Sequence, residues 1–390
     1  MFILIIEGER FMRTILVILI ALSLGITSGC TRNKEVIEPS PGQTSTTQLD
    51  IPYTMETVAE GLNVPWEMDI AKDGRIFFTE RPGTLRVIEK GFLNPEPLIS
   101  FEAPFISEGE GGLLGLALDP SFMENHYIYV YHTYRVKDQV NNRVLRLIEK
   151  NNKAQLDKVL ISGLPGAENH NGGRIKIGAD KLLYITSGDR YDPPLAQDPT
   201  SMGGKILRIA LDGSIPASNP IKNSAIYSMG HRNPQGLAWH PETGQLYSSE
   251  HGQTAHDEIN LIEPGGNYGW PLIEGEIASS PEKANLKTPI LQSGKETWAP
   301  SGAAFVSKGP WKGSLLVAGL RGERLLKINL KGPKYDTVSN VEHLFQGKFG
   351  RLRNVYEGPD GSLYLMTNNR DGRGKPKTGD DKIIRLKPTF

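Results

Sequence analysis

The chain has 390 residues, and its 44 basic and 44 acidic side chains cancel. That balance, with no basic run of the nucleic-acid type, gives no footprint for a polyanionic partner. The 43 glycines and 27 prolines punctuate short bursts of aromatic and β-branched residues, the texture of many short strands joined by tight turns.

Residues 1–30 read as a targeting segment outside the fold. Arg13 supplies the positive start, and Ile15 to Leu24 is an apolar run too short to span a bilayer. Met12 is a plausible start beside Met1, because the stretch before it contains Glu7 and Glu9 and adds little to a signal. Thr27-Ser28-Gly29-Cys30 resembles a bacterial lipoprotein cleavage site, although Thr27 stands where Leu is favoured. Cys30 is the only cysteine, so no internal disulfide forms. Lipidation at Cys30 is expected, against a plain secretory signal with an incidental cysteine. Residues 31–50, rich in Ser, Thr, Pro and Gln, read as a flexible tether. The expected location is the cell envelope, periplasmic or outer surface, with membrane attachment only through that lipid.

Residues 51–390 carry an internal repeat. Each unit has a turn, an apolar-aromatic strand, a polar loop and a second strand. The first pair is Gly74–Glu80 with Leu85–Ile88, and the last is Gly361–Thr367 with Lys382–Leu386. Units begin near 74, 127, 180, 244, 313 and 361. Six units of this size predict an all-β, six-bladed β-propeller with four-stranded blades. A sandwich does not predict equal units, and a β-helix has a shorter repeat. Strand Tyr53–Val58 precedes the first unit and is expected to complete the last blade. No sustained 3.6-residue period is present, so helices should be few. Asp119–Phe122 and His240–Glu242 read as turns.

Propeller loops converge at one mouth of the central channel, so polar loop residues at equal phase are the candidates for chemistry. Glu168-Asn169-His170-Asn171-Gly172-Gly173-Arg174 places an imidazole, able to titrate near neutral pH, before a glycine pair and a strand. Glu110 and Asp189 sit in similar loops, where each could equally cap a turn. Arg232 in Gly-His-Arg-Asn-Pro needs an anionic partner if buried. Arg351 and Arg353 alternate about Leu352 and would share one side of a strand, which favours an anion between them. Asp257 and Glu258 are oxygen ligands of the calcium type, and nothing has zinc spacing.

Gly-Glu-Gly-Gly-Leu-Leu-Gly, His-Asn-Gly-Gly-Arg, Gly-His-Arg-Asn-Pro-Gln-Gly-Leu, Glu-His-Gly, Asp-Glu-Ile-Asn and Gly-Gly-Asn-Tyr-Gly-Trp occur together and in order. In these motifs the chain, from about Tyr53 to Leu386, resembles the soluble sugar dehydrogenases that use pyrroloquinoline quinone (PQQ). The resemblance implies His170 as base toward the anomeric hydroxyl and Asp189 as the carboxylate that holds it. It implies Arg232 and Asn233 as quinone-binding residues, Arg232 also stabilising charge at a quinone carbonyl. Arg351 and Arg353 match the arginines on the cofactor carboxylates, and Arg321 falls where glucose-oxidising members have a cofactor-binding Lys. Trp298 matches an aromatic near the sugar. The carbonyls of Gly252 and its neighbour Gln253 match donors to the quinone's calcium, and Glu258 with the Tyr268 carbonyl matches a further calcium site. Two departures stand out: Glu110 replaces a Gln that would contact the ligand, and Gln253 replaces a common Pro.

The implied activity is oxidation of an aldose at C1 to the lactone, with hydride transfer to PQQ and electrons passed to an external acceptor. Two other readings fit a propeller. One is a calcium-dependent hydrolase of the lactonase type, with its ion on the central axis. The other is a non-catalytic surface propeller that binds a glycan or a protein.

Overall fold

A computed structural model describes residues 51–275 and 285–389. The expected leader, Cys30 and the tether lie outside the described residues. Among the described residues no helix is long and apolar enough to cross a membrane.

The strands form six antiparallel sheets, the blades of a β-propeller. The inner strands are Pro65–Ile70, Leu113–Leu118, Ile175–Ile177, Pro234–Trp239, Pro300–Phe305 and Leu352–Glu357. Each is followed outward by the two strands that the repeat predicted; in the third blade these are Leu183–Ser187 and Lys205–Ile209. The first blade's outer edge is split, since Phe92–Leu93 and Ile99–Ser100 both pair with Thr84–Glu89.

The ring closes as expected. Tyr53–Ala59 pairs antiparallel with Ile383–Pro388 and becomes the outer strand of the sixth blade. The first strand of the described residues is thus hydrogen-bonded to the last, which ties the two ends of the ring together. Between blades the second strands are buried on both faces, as in Leu183–Ser187, Leu246–Glu250 and Leu363–Thr367. They feed apolar clusters such as Tyr129, Tyr131, Ile185 and Leu207 between the second and third blades. Among the described residues helix is confined to short turns at Phe122–Asn125 and Pro193–Ala196. The first begins inside the Asp119–Phe122 stretch that reads as a turn in sequence.

The axis is polar. Glu67 of the first blade pairs with Arg174 beside the third, and both side chains are fully buried. Asn354 of the sixth blade donates to Glu67 Oε1 at 2.5 Å. Arg174 Nε donates to the Gln235 carbonyl of the fourth blade at 2.8 Å, and its guanidinium lies 4.1 Å from the Trp66 ring. Ser301 of the fifth blade reaches Arg174 Nη2 at 3.5 Å. Five blades therefore meet in one network. A ring of sheets leaves its inner strands facing one another across a channel, and here polar side chains fill it.

Removing one partner of a buried ion pair leaves an uncompensated charge. Arg174→Met should lower unfolding stability by about 3–5 kcal/mol, read as the urea midpoint. The double variant Glu67→Gln/Arg174→Met should recover part of that loss. A single variant as stable as wild type would contradict the role given to the pair.

Candidate active site

The inner strands begin, and the second strands end, on the same face of the ring. Loops that precede inner strands bring Glu110, His170, Arg232, Ala299 and Arg351 to that face. Loops that follow second strands bring Asp189, Tyr191, His251, Gly252, Gln253, Arg321 and Arg373. They enclose a cavity of about 340 Å³, floored by Trp66, Gln235 and Arg353. His170 and Arg232 both line it, although 62 positions separate them.

His170 is buried and Asp189 beneath it is fully so. His170 Nδ1 lies 2.7 Å from Asp189 Oδ1. Trp270 Nε1 donates to Asp189 Oδ2 at 2.8 Å, and the Tyr191 amide donates to Oδ1 at 2.9 Å. The carboxylate is thus fixed by an indole and an amide, and it fixes the imidazole. With Nδ1 engaged, Nε2 is the nitrogen left to exchange a proton with a ligand. Gly172 makes this loop possible: its φ is +64°, and a Cβ there would lie 2.6 Å from the Thr186 carbonyl. Gln235 Nε2 and Asn233 Oδ1 hold Gly172 by its carbonyl and its amide, both at 3.0 Å.

Glu110 bridges two loops. Its Oε2 accepts from the His170 amide at 3.0 Å and its Oε1 from Arg373 Nη1 at 2.6 Å. Burial opposes its charge, but the Arg373 pair, nearby His251 and the His170 amide outweigh that and hold the carboxyl down at about 2. Arg373 also reaches Asn169 Oδ1 at 2.5 Å.

The floor is over-supplied with positive charge. Arg351 is neutralised by Asp371, with Nε and Nη2 at 3.0 and 2.7 Å from one carboxylate oxygen. Arg353 finds only neutral acceptors among the described residues: Gln235 Oε1 at 3.0 Å, Ser301 Oγ at 3.2 Å and Asn368 Oδ1 at 3.2 Å. Burial lowers its pKa; Asp371 opposes this, while Arg351, Arg174 and Arg81 add to it, and the guanidinium is pushed down to about 9. Arg232 lies 5.4 Å from the Trp270 ring and donates to the His251 carbonyl at 3.3 Å. The buried His251 Nε2 and Asn233 Nδ2 have no partner among the described residues. The structure thus presents a polar, positively charged cleft of small-molecule size, with the Trp66 ring as the one aromatic patch of its floor.

Several expected residues stand elsewhere. Trp298 does not line the cavity. Its ring packs with Ala303, Phe305 and Leu315 in the core between the fourth and fifth blades, because Asp257 Oδ2 binds the amides of Trp298 and Ala299 and turns the side chain inward. Asn233 lies beneath the cavity as a support of the His170 loop. Gly252 and Gln253 do line the cavity, whereas Glu258 and Tyr268 border a small adjoining void with Glu250, His251 and Glu274. Asp257 is saturated by backbone amides, including that of Gly252 at 3.0 Å. A Cβ at Gly252 would lie 1.9 Å from the Ala255 carbonyl, which fixes glycine there. Among the described residues no three carboxylate or imidazole side chains are grouped to hold a metal ion. Trp66, Tyr191, Gln235, Trp270, Asp371 and Arg373 were not singled out in sequence; only Tyr191, Gln235 and Trp270, beside or within quoted motifs, carried a signal.

The folded Glu110 carboxyl titrates at about 2, below the ordinary 4.5. A depressed pKa stabilises the fold above the unfolded value and is lost as pH falls through the folded one. Glu110→Gln should therefore be less stable than wild type at neutral pH, and the gap should close as pH falls from 4.5 toward 2. Thermal unfolding across that range checks this, and a gap that persists at the acid end contradicts it.

The family model of glucose / sorbosone dehydrogenases matches residues 62–384. Quinoprotein glucose dehydrogenase B of Acinetobacter calcoaceticus is 30% identical over 415 aligned positions, 81% of this chain and 85% of that protein. Aldose sugar dehydrogenase YliI of Escherichia coli K12 is 31% identical over 82% of this chain and 91% of its own length. The solved PQQ-bound aldose sugar dehydrogenase of Streptomyces coelicolor superposes with a TM-score of 0.76 at 38% identity, over 86% of this chain and 98% of that one. A propeller that places a histidine–aspartate pair over buried arginines, with this likeness along nearly its whole length, belongs to the glucose / sorbosone dehydrogenase family of oxidoreductases.

Proposed function

We propose that the cavity binds PQQ with calcium and that the protein oxidises an aldose at C1 to the lactone, its electrons leaving to an external acceptor. One observation carries this reading: the His170–Asp189 pair and the carboxylate-free Arg353 open into the same cavity. A base alone suits many reactions, but a buried unneutralised guanidinium asks for an anionic ligand.

The donor set fits both groups. Arg353 and Arg351 on the floor and Arg321 at the rim suit the carboxylates of a planar quinone, and Arg232 offers positive charge beside the His251 carbonyl. Among the described residues neither the Gly252 nor the Gln253 carbonyl accepts a hydrogen bond, so both are free to ligate calcium. Replacing Pro by Gln253 keeps that carbonyl and loosens the loop. Glu258 and the Tyr268 carbonyl are assigned to a further calcium. Burial, then Glu250, push the Glu258 carboxyl up to about 8, a strain that a divalent cation relieves.

When bound, the quinone supplies a two-electron hydride acceptor. His170 takes the proton of the C1 hydroxyl at Nε2 as hydride leaves C1, and the C1–O bond becomes the lactone carbonyl. Asp189 stabilises the imidazolium so formed and keeps the ring oriented. Glu110 fixes the His170 backbone and holds Arg373 at the rim. Export and a lipid anchor at Cys30 complete the proposal; they rest on the sequence of residues 12–30. The lactonase alternative loses ground, because Arg174 occupies the axis where its metal would stand.

The full chain, loaded with PQQ and calcium, should reduce a dye acceptor with aldoses. His170→Ala should lower kcat by about a hundredfold or more while still binding the quinone. Chelation of calcium should abolish turnover, and re-addition should restore it. Lactone hydrolysis without quinone, or sugar binding without turnover in both forms, would contradict this function.

A further inference from the structure

Resting on that reading, we propose that Tyr191 is the sugar-facing wall of the cavity. Its ring receives the C–H face of an aldopyranose whose anomeric hydroxyl reaches His170. Of the large apolar side chains that stand exposed among the described residues, Tyr191 alone lines the cavity. It is 60% exposed, whereas His170 beneath it is 5% exposed. Trp66 also lines the cavity, but at 2% exposure, with Arg174 and Arg353 on its ring at 4.1 and 5.4 Å. Trp298 is in the core. One aromatic face is left for a ligand on the solvent side of the base.

Its position is built rather than incidental. The ring centroid lies 3.9 Å from that of His170, tilted by 42°. The Tyr191 amide donates to Asp189 Oδ1, the oxygen that also meets His170 Nδ1, so one carboxylate sets both rings. Arg190 and Tyr191 sit at φ +50° and +64°, a conformation that non-glycine residues seldom adopt, least of all an aromatic exposed to water. Backbone held this way presents the ring to the cavity instead of letting it collapse onto the core.

The negative face of an aromatic ring attracts the partly positive axial C–H groups of a pyranose. A hydroxyl that is axial on that face would lose water without gaining a partner. The wall therefore favours sugars with equatorial ring hydroxyls.

The experiment uses the full chain loaded with PQQ and calcium, with D-glucose and D-galactose as probes, the latter carrying one axial ring hydroxyl. Tyr191→Ala should raise KM for glucose by about tenfold and bring the two sugars' kcat/KM values closer together. Tyr191→Phe, which keeps the ring, should restore KM to within about threefold of wild type. Quinone titration should give the same midpoint in all three proteins. An unchanged KM in Tyr191→Ala, or an equal loss for both sugars with weakened quinone binding, overturns the wall. A wild type that binds quinone and oxidises no aldose overturns the functional reading, and the wall with it.

Discussion

The architecture depends on what fills the axis of the ring. Inner strands of six sheets face one another there, and sheet geometry offers no apolar layer to cover them. Glu67 and Arg174 neutralise each other at the centre, and the Gln235 carbonyl of the fourth blade, Ser301 of the fifth and Asn354 of the sixth bond to the pair. Arg353 shares that network through Gln235 and Ser301 but among the described residues has no carboxylate of its own. The plug that stabilises the ring is thus also the floor that selects an anion.

Above the floor, loops from different blades impose order on one another. Asp189 fixes His170 and Tyr191, Glu110 ties the His170 backbone to Arg373, and Asp257 binds the Gly252 loop to the start of the fifth inner strand. These carboxylates are engaged by backbone amides, an indole, an imidazole or an arginine, so the cavity keeps positive charge and imidazole edges for a ligand. This is pre-organisation: the polar groups are oriented before substrate arrives.

Much of this was legible in the chain. The second strands are apolar runs such as Leu183–Ser187, because both faces are buried between blades, and most third strands keep a partly buried apolar pattern beside them. The inner strands were less visible, since Glu67, Gln235, Ser301, Arg353 and Asn354 break their apolar pattern to meet the axis. His170, Asp189, Arg232, Arg351 and Gly252 stood out because short motifs carry them. Asp371 and Arg373 did not, because their partners Arg351 and Glu110 are set by ring closure and not by spacing; Trp270 ends a quoted motif, but its bond to Asp189 is likewise tertiary. Trp298 misled for the same reason: the amide bonds to Asp257 that turn it into the core are tertiary. Tyr191 took its place at the cavity through backbone dihedrals that spacing does not encode.

The central claim is that an unneutralised guanidinium on the axis holds an anionic cofactor under His170. Calorimetric titration of PQQ into the calcium-loaded apoprotein tests it most directly, wild type against Arg353→Met. The account requires one saturable site in the wild type and affinity weaker by about ten- to a hundredfold in the variant. No binding by the wild type, or equal binding by both proteins, would contradict it.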